Sequence, residues 1–147
     1  MKKLEGPIVL FLLVAAVTIV LAAQEKTQGG RPLAATLTGP AEVPGPGDAD
    51  GTGTFKAELN PGQTQICYEL SVSNIGTPTA AHVHIGAPDK AGPPVVHLKP
   101  PTDGTVKDCV DVDRETVKQI MQKPADYYVN VHNSEFPDGA VRGQLSK

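Results

Sequence analysis

The sequence predicts an all-β domain, an antiparallel β-sandwich with one short crossover helix. Most of its apolar segments alternate with polar residues, which is the pattern of strands that bury one face. Clusters of Gly, Pro, Asn and Asp separate these segments at intervals of about ten residues, a spacing typical of sandwiches and not of βαβ folds. Only one segment has convincing helical periodicity.

The first half of the domain contains four predicted strands. Residues 33–37 form the first strand, and a loop rich in glycine and proline follows it. Residues 52–59 and 65–73 alternate cleanly, and the turn Asn60-Pro61-Gly62 between them predicts an antiparallel hairpin. Residues 80–86 form the fourth strand, in which histidine and valine take opposite faces.

The second half contains the helix and four more strands. Asp113 is the predicted N-cap of a helix over residues 113–122, because apolar residues then recur at helical spacing and Pro124 ends the run. This helix is expected to cross over one end of the sandwich. The four strands are predicted over residues 95–98, 105–112, 127–132 and 140–145.

The N-terminus has the pattern of a secretory signal peptide. Two lysines precede an uncharged apolar run over residues 7–23, and small residues at Ala22 and Ala23 mark the expected cleavage region. An uncleaved anchor is the alternative, and it is the only membrane contact that the sequence predicts. The mature protein is therefore expected to be secreted or periplasmic. The predicted parts are a signal peptide or anchor (1–23), a flexible leader (24–31) and the sandwich domain (32–147).

Composition and motifs argue against two classes of function. The formal net charge is −3, and the chain has no tryptophan and no basic run, so nucleic-acid binding is not expected. No serine lies in a Gly-x-Ser-x-Gly context, and no catalytic residue is predicted. No residue pattern identifies a protein or envelope partner.

The two cysteines, Cys67 and Cys109, both belong to the exported part of the chain. An even number of cysteines in an oxidising compartment favours a disulfide. Both residues leave the apolar face of their predicted strands. A bridge between them is therefore expected to join two strands from outside the core.

Three histidines share the polar faces of two predicted strands. His82 and His84 are two residues apart, so a strand directs both imidazoles to one face. His132 likewise lies opposite the valines of its strand. Imidazole ligands in an oxidising compartment suit copper first and zinc second, with His97 as a candidate fourth ligand. The alternative is that these rings hydrogen-bond loop carbonyls or face solvent.

Arg142 lies on the polar face of the last predicted strand. An ion pair with a nearby carboxylate, Asp138 or Glu135, is the favoured interpretation. An anion-binding role is the alternative.

Several motifs together resemble the CHRD (chordin-type) domain. They are Leu37-Thr38-Gly39 with Glu42-Val43-Pro44, Ala81-His82-Val83-His84-Ile85-Gly86, Tyr128-Val129-Asn130-Val131-His132-Asn133 and Pro137-Asp138-Gly139-Ala140-Val141-Arg142-Gly143-Gln144-Leu145. The resemblance spans residues 33–145, with Asn133 where family members often carry Thr. It implies an extracellular immunoglobulin-like β module, found singly in bacterial exported proteins and in tandem in chordin, an antagonist of growth-factor signals. No general catalytic activity goes with the family.

Three functional hypotheses follow from the sequence. The first is an exported, non-catalytic binding or structural module of the cell envelope or extracellular space. The second is a periplasmic or secreted copper-binding or zinc-binding protein that uses His82, His84 and His132. The third and most distant is redox activity, since the His-x-His strand loosely resembles the copper strand of copper-zinc superoxide dismutases, although only His82 and His84 match that motif.

Overall fold

A computed structural model describes residues 30–60, 62 and 64–147 of the chain. The predicted signal peptide and nearly all of the predicted leader lie outside these residues. Within them, no helix is long and apolar enough to cross a membrane. The elements of the described part are β1 (Arg31–Thr38), β2 (Thr52–Asn60), β3 (Gln65–Ser73), β4 (Pro78–Ile85), β5 (Pro94–Leu98), β6 (Thr105–Asp111), α1 (Arg114–Gln122), β7 (Tyr127–Asn133) and β8 (Val141–Gln144).

The strands form one antiparallel sheet in the order β5-β4-β7-β8-β1-β2-β3-β6, so the all-β antiparallel prediction is confirmed. The sheet curls until its two edge strands face each other. Val96 of β5 and Val110 of β6 line the same cleft, and the backbone N–H of Lys99 donates to the hydroxyl of Tyr68 at 2.7 Å. The result is a nearly closed, barrel-like sheet.

Alternation along the strands fills the inside of this sheet with apolar side chains. Phe55 stacks against Tyr68 with ring centroids 5.8 Å apart, and Val129 and Val131 of β7 are fully buried. Burial of each such side chain stabilises the fold by about 1.5–3 kcal/mol. Because the valines of β4 and β7 face this core, the alternate residues of the same strands must face outward.

The predicted helix is present and begins as expected. The side chain of Asp113 accepts a hydrogen bond from the backbone N–H of Thr116 at 2.9 Å, which satisfies one of the unpaired amides of the first turn. One face of α1 packs on the core through Val117, Ile120 and Met121. The helix therefore covers apolar residues that the sheet alone leaves exposed.

Two further features of the sheet agree with the sequence. Strands β2 and β3 form the predicted hairpin, with Thr52 opposite Ser73 and Asn60 opposite Gln65. Cys67 and Cys109 are directly opposed across β3 and β6 and form a disulfide on the exposed face. The bridge attaches the edge strand β6 to its neighbour. Most strand ends differ from the prediction by one or two residues. In particular, β1 begins at Arg31, the last residue of the predicted leader.

Loops cover the outer face of β4, β7 and β8. The segment between β4 and β5 is held down by Gln144, whose amide donates to the carbonyl of Gly86 at 2.6 Å. The segment between β1 and β2 is attached through the backbone N–H of Asp48, which donates to the carbonyl of Ala140 at 2.9 Å. This cover buries polar residues on the outside of the barrel, and it creates the environment of the histidines.

Candidate metal centre

The register of β4 and β7 brings the three predicted ligands together. The two strands are antiparallel neighbours, with His82 opposite Asn130 and Ala80 opposite His132. His132 therefore lies diagonally across from His82, within reach of its ring. One ring nitrogen from each of His82, His84 and His132 lies within 4.8 Å of the other two.

Backbone carbonyls set the tautomers of two of these imidazoles. Nδ1 of His84 lies 2.8 Å from the carbonyl oxygen of Gly92, and Nδ1 of His132 lies 2.9 Å from that of Pro137. A carbonyl can only accept, so each Nδ1 carries the hydrogen and each Nε2 keeps its lone pair. Nε2 of His84 is buried and has no hydrogen-bond partner in the described part of the chain.

His82 is the central ring of the cluster. Its Nδ1 lies 3.1 Å from Nε2 of His132, and its ring centroid lies 5.3 Å from that of His84 and 5.0 Å from that of His132. Burial, followed by the electrostatic influence of the neighbouring histidines, lowers the pKa of His82 to about 4. All three imidazoles are thus disposed to be neutral near pH 7, which is the form that binds metals.

The other two pKa values are lowered for the same main reason. Burial lowers the pKa of His84, and the hydrogen bond to Gly92 opposes that effect. Burial also lowers the pKa of His132, with the hydrogen bond to Pro137 acting in the opposite direction. The carbonyls orient the rings without making either one cationic.

His97, the candidate fourth ligand, lies beside this cluster and not within it. It is directly opposite His82 across β4 and β5, and the two ring centroids are 4.9 Å apart in an edge-on arrangement. Its side chain is exposed. The group of mutually close ligand nitrogens contains the other three histidines only.

Two residues that were not predicted to belong to the site support the candidate ligands. Tyr128 stacks on His84 with centroids 4.9 Å apart, and its hydroxyl accepts from the N–H of Gly92 at 3.1 Å. Asn133 accepts from the N–H groups of Glu135 and Phe136 with its side-chain oxygen, folding the turn that presents the Pro137 carbonyl. An asparagine after a predicted strand could have indicated the turn that follows it, whereas nothing in the sequence indicated the contact with Gly92.

Arg142, for which an ion pair with Asp138 or Glu135 was predicted, has backbone carbonyls as its hydrogen-bond partners. Arg142 is 1% exposed and donates from Nη2 to the carbonyls of Ala87 at 2.8 Å and Lys90 at 3.0 Å. Its guanidinium carbon lies 3.4 Å from the ring centroid of Tyr128. The loop between β4 and β5 covers the polar face and supplies these nearer partners, while Asp138 remains exposed near His132.

A buried polar cluster adjoins the histidines. Glu42 is 4% exposed, and burial raises its pKa to about 7 against the lowering influence of Arg142. Asn130 lies between His82 and Arg142 in the cross-strand register, and its side chain acts to lower the pKa of Glu42 and to raise that of His84. Gly139 has a φ of +145°, and any side chain there would collide with the Glu42 carboxyl group.

The donor set suits a small transition-metal ion. In a tetrahedral site with metal–nitrogen bonds of about 2 Å, ligand nitrogens lie about 3.3 Å apart. The His82–His132 separation of 3.1 Å is close to this value. Without an ion, this contact is a hydrogen bond in which Nδ1–H of His82 donates to Nε2 of His132, so an ion bound there would take the place of that proton and leave His82 protonated on Nε2. The ligand nitrogen of His84 lies within 4.8 Å of the other two. Three imidazoles leave one coordination position for water or an exchanging ligand.

Comparison with known proteins identifies the family. A family model described as the CHRD domain matches residues 33–145. No curated protein and no solved structure matches the chain. The matched span begins within β1, includes β2 to β8, and contains all four histidines. The chain belongs to the CHRD domain family.

Proposed function

We propose that this CHRD domain binds one transition-metal ion, copper in preference to zinc, through His82, His84 and His132. The observation that carries the proposal is the paired carbonyl contacts of His84 and His132. Metal-binding histidines commonly donate their second ring N–H to a carbonyl, which fixes the ring and exposes the other nitrogen. Here each of these two rings carries its lone pair on Nε2, and one ring nitrogen from each of the three histidines lies within 4.8 Å of the other two.

The chemistry of the donors favours copper. The cluster offers only neutral imidazoles, and a nitrogen site binds Cu(II) more tightly than the other divalent first-row ions. The disulfide between Cys67 and Cys109 supports an oxidising compartment, in agreement with the signal-peptide pattern. The proposed protein is therefore a secreted or periplasmic metal-binding module without catalytic activity, suited to holding or delivering the ion.

A second candidate function is a metal-independent binding or structural module of the envelope. The observation that favours it is the pair of sheet edges at β5 and β6. Edge strands present backbone groups that an extended segment of a partner can pair with. This candidate requires no metal and predicts that loss of the histidines leaves partner binding unchanged.

Calorimetry on the tag-free mature domain separates the two candidates. Titration with Cu(II) and then Zn(II) is expected to give one site per chain for the wild type. His84→Ala and His132→Ala should each abolish tight binding, because each removes one of three ligands. His97→Gln is the matched control and should retain it. Binding weaker than roughly 10 μM in the wild type, about −7 kcal/mol, would favour the metal-independent module.

A further inference from the structure

We propose that His97 is the exchange ligand of the metal centre: it receives the ion from solution and passes it to the three-histidine site. This inference rests on the proposed metal-binding function and assigns a distinct role to a residue of the neighbouring strand. The exchange ligand contacts the ion in transit and is free of it at equilibrium.

The position of His97 joins the site to the exterior. His97 is exposed, whereas His84 is 8% exposed and directs its free nitrogen into the protein. Its ring centroid lies 4.9 Å from that of His82, the central ring. On its other side, His97 lines the cleft of about 280 Å³ between the two edge strands. An ion that arrives by this cleft meets exposed His97 before it meets half-buried His82 and buried His84.

The lack of a fixed orientation distinguishes His97 from the resident ligands. Across the described residues, no hydrogen bond holds its ring, whereas carbonyls hold the rings of His84 and His132. A fixed ligand needs such support to keep its nitrogen on the metal. Exposed side chains change rotamer within nanoseconds. A ring without a hydrogen bond to hold it can therefore turn readily between an outward and an inward position.

Transfer then proceeds by stepwise substitution of ligands. A bond between the ion and a His97 nitrogen forms as a bond to water or to a donor molecule breaks. The bond to His97 breaks in turn as the bonds to the three resident nitrogens form. No electron is transferred, and His97 ends with its lone pair free. The same steps in reverse release the ion to an acceptor.

The test measures rates and equilibrium affinity on the same protein. Stopped-flow mixing with Cu(II) gives the association rate, and mixing the loaded protein with excess chelator gives the release rate. His97→Gln is expected to slow both rates by about tenfold, equivalent to 1.4 kcal/mol in each barrier, and to leave Kd within about threefold. Lys99→Gln is the matched control directly after the same strand, exposed and attached to the fold through its backbone N–H. Its rates should stay within about twofold of the wild type.

Two results would overturn the inference. Unchanged rates in His97→Gln would show that His97 lies off the route of the ion. A weaker Kd that arises wholly from faster release would make His97 a resident fourth ligand. Failure of the proposed function looks different, since the wild type itself would then bind no Cu(II) at equilibrium, and the inference would fall with it.

Discussion

Replacing Tyr128 with phenylalanine removes a single oxygen atom beside the proposed metal centre. The ring that stacks on His84 stays, so the change acts through the hydroxyl alone. That hydroxyl accepts from the N–H of Gly92 at 3.1 Å and lies 3.4 Å from the Gly92 carbonyl, to which it donates. The same carbonyl receives Nδ1–H of His84. The substitution therefore loosens the loop segment that orients one ligand.

The magnitude follows from these contacts. An unpaired, partly buried N–H at Gly92 should cost about 1–2 kcal/mol of stability. Loss of support behind a metal ligand typically reduces metal affinity by about tenfold or more. The matched control is Tyr127→Phe, the adjacent residue on the opposite face. The Tyr127 hydroxyl makes one long hydrogen bond of 3.4 Å to exposed Gln119, so its loss should cost less than about 0.5 kcal/mol.

Urea unfolding followed by circular dichroism measures the first effect, and Cu(II) calorimetry measures the second. Tyr128→Phe should lose both stability and affinity, whereas Tyr127→Phe should keep both. Equal losses in the two variants, or an affinity of Tyr128→Phe within about twofold of the wild type, would refute the reasoning that the loop carbonyl orients His84.

Three further predictions concern protons and the disulfide. Glu42 has a folded-state pKa of about 7 against an ordinary 4.5, so the folded state keeps its proton longer and stability falls as pH rises between these values. The decline in unfolding free energy should amount to about 3 kcal/mol in the wild type and be absent in Glu42→Gln, as measured by urea unfolding at a series of pH values. Parallel pH profiles of the two proteins would contradict this prediction. At about one pH unit below 6.5, protonation should reduce the Zn(II) affinity of three ordinary imidazoles roughly a thousandfold. Because the pKa of His82 is about 4 and those of its partners are lowered, the loss of Zn(II) affinity here should be far smaller. A thousandfold loss measured by calorimetry would contradict this prediction. Replacing Cys67 and Cys109 by alanine should cost about 4 kcal/mol in unfolding free energy, since the bridge spans 42 residues; a loss under about 1 kcal/mol would contradict the chain-entropy reasoning.

Much of the fold was predictable because strand alternation is a local property. Residues 65–73, with apolar side chains at every second position, became strand β3 with the predicted bounds. Asp113 capped the helix because its side chain needs only a backbone N–H three residues away. The alternation of valine with histidine likewise predicted which face the imidazoles take.

The site itself depended on information that is not local. Alternation does not state which strands are neighbours, and only the pairing of β4 with β7 brings His132 to His82. The loop cover over the outer face was equally unpredictable. It buries Arg142 against backbone carbonyls, whereas sequence reasoning assumed that an outward-facing residue meets solvent and pairs with an exposed carboxylate. Carbonyl partners carry no signature in the sequence, since every residue has one.

Metal analysis of the untagged protein, purified from its own compartment, tests the central claim most directly. We expect about one copper ion per chain in the wild type and none in the His84→Ala protein, which should retain the same circular dichroism spectrum. The reason is that Nε2 of His84 is a buried ligand nitrogen without a hydrogen-bond partner in the described residues. Wild-type protein that is correctly folded and free of copper and zinc would contradict the claim.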